Sequence, residues 1–424
     1  MRLVVWGGEF TNKGAEAMLL TTVTELSSRI PGLEVLIWTY REEENRIAAE
    51  NDLVAIDVPR FNGKLRKLAW ILGQAAKHGS VPRSRVLDPS SWWLEAASAW
   101  MLGTSPTFDG LVDMSGFAYG DVWGTFSVRR ILPFVTTCRE KSLPVVFLPQ
   151  AWGSFTRPDV RADVAGIIKG TNTVLYSRDA QSSEYLAEIL GSDYGPIQPR
   201  ADIVFAFKGG TEQLGHAKLR AMGCSLERRL VGIAPNMRVF ERSHGKRGSS
   251  AYVDALAGLV RHCVDSRDLD VVLLPNECSP VNSGTDDRRL CELVASAASR
   301  EGRCHFSGDY VSAEDMHAVV GCLDYLVGSR FHALVFGLSQ GIPCMAIGWS
   351  HKYVELLHQF GLADYVCSGN GLIEDDIIQM FQRGWAERLA HSTRISDIAA
   401  AMRSDVASLF DNVAGFMTSR STPS

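Results

Sequence analysis

The segment 324–352 carries an arginine and a histidine where an apolar strand pattern gives way to a helical one. Residues 324–327 have the pattern of a short buried strand, and residues 333–340 have apolar side chains at helical spacing. Arg330 and His332 therefore fall at the carboxyl end of a strand, where open α/β sheets bind ligands and helix N-termini favour anions. Arginine offers a planar fork to phosphate or carboxylate, and histidine can donate a proton near neutral pH. We interpret the pair as an anion site with an acid beside it; a purely structural pair is the alternative.

A glycine-containing loop near the N-terminus, residues 7–14, is a second candidate site. It is not a Walker A loop, because Ala15 and Glu16 stand where that motif needs Lys and Ser or Thr. A loop at a helix N-terminus can still cradle a substrate through backbone amides, although a tight turn alone is the other interpretation. The residues predicted to contact substrate here are Asn12, Lys13 and Gly14.

Other polar residues also follow predicted strands. Arg178 comes directly after the strand in VLYSR, where it can bind an anion or pair with Asp179. Asp113 and Asp121 flank a glycine-rich loop, and an aspartate there is either a general base or a turn former. Further substrate-binding candidates, chosen by their position near strand ends, are Asn236, Glu277, Ser329 and Lys352, the last of which also fits a solvated surface lysine.

Length and composition indicate a two-domain α/β protein. A chain of 424 residues exceeds the size of one hydrophobic core, and its 46% apolar content allows two. The 43 basic against 48 acidic residues, a net charge of -5, argue against nucleic-acid binding. The N-terminal apolar run breaks at Gly7, and no stretch approaches the roughly 20 apolar residues of a membrane span, so we expect a cytoplasmic protein. Nine cysteines without a C-x-x-C pair predict reduced core thiols, and no metal-ligand pattern occurs.

Alternating strand and helix patterns predict two Rossmann-like domains facing a cleft, the GT-B architecture. We place the first domain, the expected acceptor side, at residues 1–207 and a linker at 208–229. The second domain, with the anion site, spans 230–416 and ends in a helix available to cross back. Residues 417–424 are predicted to be disordered.

An aromatic-rich insertion at about residues 60–107 interrupts the first domain. Its tryptophans and basic residues could stack on sugar rings or touch a membrane surface that carries a lipid-linked glycan. Ordinary core packing is the alternative. The residues concerned are Trp70, Trp92, Trp93, Trp100, Lys64, Arg66 and Lys67.

The Arg-x-His segment is followed by an apolar helix pattern and by the string Gly-Ile-Pro, which begins the next strand pattern. This combination resembles the polysaccharide pyruvyl transferase family. Four other strings, GGEFTNKGAEAML, FLPQAWGSF, YSRDAQSSEYL and RADIVFAF, resemble further blocks of that family in the same order. The resemblance therefore spans roughly residues 1–370. The chain departs from the family at residues 114–116, Met-Ser-Gly, where a Gly-Gly-Gly loop is frequent.

The resemblance implies a GT-B fold and a transferase that forms a pyruvate ketal in exopolysaccharide or cell-envelope glycan biosynthesis. Phosphoenolpyruvate would be the co-substrate, with no further cofactor and no metal. The acceptor would be a glycan or a lipid-linked oligosaccharide, reached by peripheral contact with the inner face of the membrane. Arg330 and Arg178 would hold the donor, and His332 would be the general acid. Asp113 or Asp121 would take the proton of the attacking hydroxyl.

Two other functions are compatible with the sequence. A GT-B glycosyltransferase with a nucleotide-sugar donor would use the same edge, but we find no convincing acid for the ribose after DVVLLPN or CMAIGW. A catalytically silent glycan-binding protein would have little need of two arginines and a histidine. We therefore favour the pyruvyl transferase.

Overall fold

A computed structural model describes most of the chain. The described residues are 1–39, 42–57, 102–103, 106–170, 172–191, 197, 199–243, 250–278, 285–309, 311–348, 350–369 and 372–419. Most of the predicted aromatic insertion, including all four tryptophans and the three basic residues named above, lies outside them.

The chain divides into two compact units. The first contains Met1–Glu9, Thr22–Asp202 and Ala407–Ser424, and the second contains Phe10–Thr21 and Ile203–Val406. This division differs from the predicted one in two places. The N-terminal segment from Phe10 groups with the second unit, and the residues predicted as a linker belong to that unit and contain a helix.

The first unit is built on a parallel sheet with the strand order β3-β2-β1-β4-β5-β6. Its strands are β1 (Arg2–Trp6), β2 (Glu34–Thr39), β3 (Leu53–Asp57), β4 (Gly110–Asp113), β5 (Val145–Gln150) and β6 (Thr173–Ser177). The helices in this part of the chain are α1 (Lys13–Ser27), which contains residues of both units, α2 (Glu42–Glu50), α3 (Phe126–Glu140), α4 (Pro158–Ile168) and α5 (Ala180–Leu190).

The second unit repeats this plan with the order β12-β11-β10-β7-β8-β9. Its strands are β7 (Leu230–Ala234), β8 (Asp270–Leu273), β9 (Cys304–Phe306), β10 (Tyr325–Gly328), β11 (Cys344–Gly348) and β12 (Val366–Ser368). Its α-helices are α6 (Glu212–Ala221), α7 (Met237–Ser243), α8 (Ala251–Arg261), α9 (Asp287–Ala298), α10 (Ala313–Gly321), α11 (Phe331–Ser339) and α12 (His351–Gln359). The last helix, α13 (Glu374–Thr418), begins in the second unit and ends in residues of the first.

Both strand orders are those of the doubly wound Rossmann fold. The central strands β4, β5, β7, β8, β10 and β11 are buried along their whole length, as parallel strands covered by helices on both faces require. The order reverses between β1 and β4 in one sheet and between β7 and β10 in the other. The carboxyl ends of these strand pairs are therefore where ligands are expected. The predicted α/β class with two Rossmann-like domains is confirmed.

Three aromatic side chains fill the core of the first unit beside β1 and β2. The ring centroids of Trp6 and Trp38 lie 5.4 Å apart, and Phe134 lies 4.8 Å from Trp38. Tilted and edge-on contacts of this kind stabilise a core beyond the area that they bury.

The cysteines are all unpaired, seven buried and two half-buried. Among the described residues, no helix has the length and apolar character needed to cross a membrane.

Candidate functional site

Arg330 is the N-cap residue of helix α11, directly after β10. Its side chain is buried, with Nη1 donating to Glu277 Oε2 (3.0 Å) and Nη2 to Asp287 Oδ1 (2.6 Å). Burial alone would lower the pKa of Arg330, but the charges of Asp287 and Glu277 raise it above its ordinary value. The guanidinium is therefore held charged and in one orientation.

Asp287 connects three neighbouring strand ends of the second sheet. Its carboxylate accepts not only from Arg330 but also from the amides of Met237 (3.1 Å) and Glu277 (2.9 Å). These three residues follow β10, β7 and β8 respectively. Burial raises the pKa of Asp287, whereas Arg330 and the hydrogen bonds oppose that rise.

His332 lies against the start of helix α1. A Cβ built on Gly14 would lie 1.9 Å from His332 Nδ1, so only glycine leaves room for the imidazole. The His332 ring also meets the Phe331 ring edge-on, with centroids 5.3 Å apart. The predicted N-terminal loop and the predicted acid are thus brought together.

Backbone pairing fixes the N-terminal loop in the second unit. The amide of Lys13 donates to Asn276 O (2.9 Å), and the amide of Cys278 donates to Thr11 O (2.8 Å). Asn12 Oδ1 accepts from the amide of Gly14 (2.9 Å) and so caps α1.

The Lys13 side chain is fully buried rather than directed to a substrate. Its Nζ donates to Phe10 O and to Glu16 Oε2, both at 2.7 Å. The predicted substrate contact at Lys13 is therefore corrected to a structural ion pair. The sequence does not distinguish a loop lysine that faces a substrate from one that is paired with a carboxylate one helical turn away. The prediction was wrong for this reason.

Ser329 and Asn236 form a buried network at the ends of β10 and β7. Asn236 Nδ2 and Tyr353 Oη donate to Ser329 O at 2.7 and 2.8 Å. Tyr252 Oη donates to Ser329 Oγ at 2.7 Å and accepts the Asn236 amide. Both predicted residues are at most 2% exposed, so they shape the edge and do not themselves present a free polar surface.

Lys352, in the first turn of α12, lies close to this edge. Its Nζ is 5.4 Å from the ring centroid of Phe331 and 5.5 Å from that of Tyr353. Because Phe331 also contacts His332, the lysine and the histidine lie on one cluster of rings.

Asp113 is one of the two general bases considered from the sequence, and its role as a base stays a prediction. It is fully buried at the end of β4, accepting from the Ser115 amide (2.8 Å) and from Tyr119 Oη. Burial raises the pKa of Asp113 to about 6, although the bonds from Tyr119 and Ser115 lower it. Asp121, the alternative base, is held by Thr156; partial burial raises its pKa, but these hydrogen bonds lower it overall.

Arg178 belongs to the first unit, whereas Arg330 belongs to the second. Its Nη1 donates to the carboxylate of Asp202 (2.6 Å), and both side chains are buried. The partner considered from sequence, Asp179, instead accepts the Ser182 amide (2.7 Å) as the N-cap of α5. A role of Arg178 in binding the donor stays a prediction.

Sequence reasoning missed several residues on which the site depends. Asp287 and Asn276 lie beside loops without a recognisable motif, and the two tyrosines of the second unit resemble ordinary helix core residues in sequence. Across the described ranges, no three His, Cys, Asp or Glu side chains are grouped to hold a metal ion. The missed residues are Asp287, Asn276, Tyr252, Tyr353 and Tyr119.

We expect Gly14→Ala to displace the His332 ring, because the added methyl group would overlap it. The midpoint of thermal unfolding should fall, and the His332 imidazole resonances should move in NMR spectra of histidine-labelled protein. Gly166→Ala is the matched control, since a methyl group added at this helical glycine would meet no atom within 4 Å and alanine favours helix. Unchanged His332 resonances in Gly14→Ala would contradict the contact.

Asp113 should make stability depend on pH. Because its folded-state pKa is raised from 3.8 to about 6, the stability it contributes is fully present below pH 3.8 and is lost as pH rises through 6, on the order of 3 kcal/mol. Asp113→Asn should lack this loss, and Tyr119→Phe should move it to higher pH by removing a donor to the ionised carboxylate. Denaturation curves between pH 4 and about 8 measure this, with Glu140→Gln as the control at an exposed acid of the same unit. Parallel pH profiles for wild type and Asp113→Asn would refute it.

Comparison with known proteins identifies the family and the fold of the chain. The sequence model of the polysaccharide pyruvyl transferase family matches residues 12–351. The amylovoran biosynthesis protein AmsJ of Erwinia amylovora is 21% identical over 287 residues, covering 64% of this chain and 64% of that protein. The fold is similar to UDP-GlcNAc 2-epimerase of Neisseria meningitidis (TM-score 0.57, 10% identity, 99% and 100% of the two chains). It is also similar to the enzyme of that name from Methanocaldococcus jannaschii (TM-score 0.55, 10% identity, 90% and 92%). The two-domain GT-B-like fold class is confirmed, and the chain belongs to the polysaccharide pyruvyl transferase family.

Proposed function

We propose that the protein transfers pyruvate from phosphoenolpyruvate to two hydroxyl groups of a sugar, forming a cyclic ketal on a polysaccharide or a lipid-linked glycan. Family membership over residues 12–351, combined with the cluster of His332, Gly14, Arg330 and Lys352 at one sheet edge, is the observation that carries the proposal. The similarity to AmsJ, an amylovoran biosynthesis protein, supports an exopolysaccharide or cell-envelope glycan as the acceptor class. In this proposal the enzyme acts in the cytoplasm, with peripheral contact at the membrane where the acceptor is lipid-linked.

The donor carries a carboxylate and a phosphate, and the second unit offers matching positive charge. Helix α11 begins beside Arg330 and contains His332 in its first turn, and the Lys352 ammonium lies 5.4 Å from the ring of Phe331, which contacts His332. Arg330 uses two of its five N–H donors on Glu277 and Asp287, and Nε has no partner among the described residues. Because two carboxylates flank Arg330, its charge is largely balanced locally. In this proposal Lys352 contributes positive charge to donor binding, and Arg330 supplies orientation.

In the proposed reaction one acid protonates the donor, and the two sugar hydroxyls each lose a proton. His332 protonates the methylene carbon of phosphoenolpyruvate, and one sugar hydroxyl attacks the adjacent carbon. The carbon–oxygen bond to phosphate then breaks, and the second hydroxyl closes the ring. Of the two hydroxyl protons, one replaces the proton that His332 gave to the methyl group and the other leaves on phosphate. Asp113 is fully buried and accepts from the Ser115 amide and from Tyr119 Oη, so this proposal assigns it no direct contact with the sugar.

Release of inorganic phosphate should require phosphoenolpyruvate and a glycan acceptor together. Phosphoenolpyruvate alone should raise the thermal midpoint, because a ligand that binds only the native state stabilises it by mass action. A panel of nucleotide sugars is the control donor set. Release of a nucleoside diphosphate, with no phosphate from phosphoenolpyruvate, would establish a glycosyltransferase instead.

His332→Gln should lower turnover by about 10²- to 10⁴-fold, the usual contribution of a positioned general acid. The thermal shift with phosphoenolpyruvate should be retained, since an acid used in the transition state adds little to ground-state binding. His317→Gln is the control, because His317 lies in helix α10 of the same unit. Equal, small losses in both variants would contradict the role of His332.

A further inference from the structure

The Met-Ser-Gly string at residues 114–116 directly follows β4, and its serine is fixed by its neighbours. The Ser115 amide donates to Asp113 Oδ1 (2.8 Å), and the Ser115 carbonyl accepts from the Phe117 amide (2.8 Å). Gly7 packs against the hydroxyl, since a Cβ at Gly7 would lie 2.6 Å from Ser115 Oγ. The turn therefore holds the Ser115 side chain at one place on the carboxyl edge of the first sheet.

Ser115 contacts both an open cavity and a buried carboxylate. It is half-buried and lines a cavity of about 220 Å³ where β1 and β4 end. Its side chain also hydrogen-bonds to Asp113 and to Tyr119. Asp113 itself is fully buried and does not line the cavity. Ser115 thus connects the cavity with a carboxylate that a ligand in the cavity does not touch.

The Asp113 carboxylate has the properties of a proton acceptor near neutral pH. Burial raises the pKa of Asp113 to about 6, although hydrogen bonds from Tyr119 and Ser115 lower it. A general base is most effective when its pKa lies near the working pH. Burial raises the pKa of Tyr119 well above its ordinary value, while the charge of Arg130 in α3 lowers it, so Tyr119 stays a donor. A proton that enters this group of side chains therefore ends on Asp113.

We propose that Ser115 relays a proton from an acceptor hydroxyl in the cavity to Asp113. The O–H bond of the sugar breaks while its oxygen bonds to the donor carbon that carries phosphate. Ser115 Oγ accepts this proton and gives its own to the carboxylate. When the carbon–oxygen bond to phosphate breaks, the proton returns by the same path to the departing phosphate, so both side chains end unchanged. The relay rests on the proposed function and adds Ser115 to it as a residue that touches the acceptor.

Ser115→Ala removes the relay and keeps the backbone of the turn. With phosphoenolpyruvate and a glycan that supports phosphate release, kcat should fall by about 10²-fold, the lower end of what a positioned acid or base contributes. The thermal shift with phosphoenolpyruvate should be retained. Ser115→Gly leaves room for a bridging water and should lose less activity than Ser115→Ala. Ser28→Ala, at an exposed serine of the same unit, is the control and should match wild type.

The pH dependence of kcat distinguishes a relay from a structural role. The relay needs ionised Asp113, so kcat of the wild type should fall as pH is lowered through about 6. Tyr119→Phe removes a hydrogen bond that lowers the pKa of Asp113, so this fall should move to higher pH. An ionisation of the donor or of His332 would give the same profile in both proteins, and that result would overturn the relay. If Tyr119→Phe does not fold, Ser115→Ala and Ser115→Gly decide the question.

Two results would overturn the relay and leave the proposed function intact. In the first, Ser115→Ala turns over as fast as wild type. In the second, Glu9→Gln removes the fall in kcat at low pH and Ser115→Ala does not, which would make Glu9, an exposed residue of the same cavity, the base. A wild type that releases no phosphate from phosphoenolpyruvate with the glycans tested would contradict the proposed function itself, and the relay with it.

Discussion

The buried carboxylate of Asp287 is the contact on which the candidate functional edge of the second unit depends. It accepts from Arg330 after β10, from Met237 after β7 and from Glu277 after β8, so one side chain joins three adjacent strand ends. A carboxylate with no exposed surface is costly unless it is paired and hydrogen-bonded. All three partners must therefore be in place together, and the edge is rigid for that reason.

The candidate acid at this edge, His332, is positioned by that arrangement. Arg330 begins helix α11, and His332 lies in the first turn of the same helix. Glu277, bonded to both Arg330 and Asp287, is in the segment that pairs with Asn12, and Gly14 then presents a bare backbone to the imidazole. Such fixed geometry is what reduces a reaction barrier through orientation and charge placement. The sequence analysis interpreted Arg330 as an anion ligand because its guanidinium group is a planar fork. In the structure Arg330 chiefly holds Glu277 and Asp287 in place.

The sequence was informative where a short pattern of residue types determines the local structure. Apolar strands alternating with helices predicted both sheets, and Arg330 with His332 identified the edge that carries the candidate acid. It was less informative about which cations are already paired with a carboxylate. Lys13 is paired with Glu16, three residues on, and Arg178 with Asp202, twenty-four residues on, although the sequence suggested that both were available to bind an anion. Asp113 follows a strand, which is a usual position for a catalytic base. Its burial beside Tyr119 cannot be predicted from the turn-like residues that surround it in the sequence. The docking of Phe10–Thr21 in the second unit also has no local signal.

The fate of the donor's methylene carbon tests the central claim most directly. When the glycan that supports phosphate release is turned over in heavy water, a ketal formed through protonation by His332 must carry one deuterium in its new methyl group. NMR of the purified product should show a CH₂D group on a quaternary carbon. A product that retains two vinyl protons, or one that gains a sugar and no pyruvate, would contradict the account.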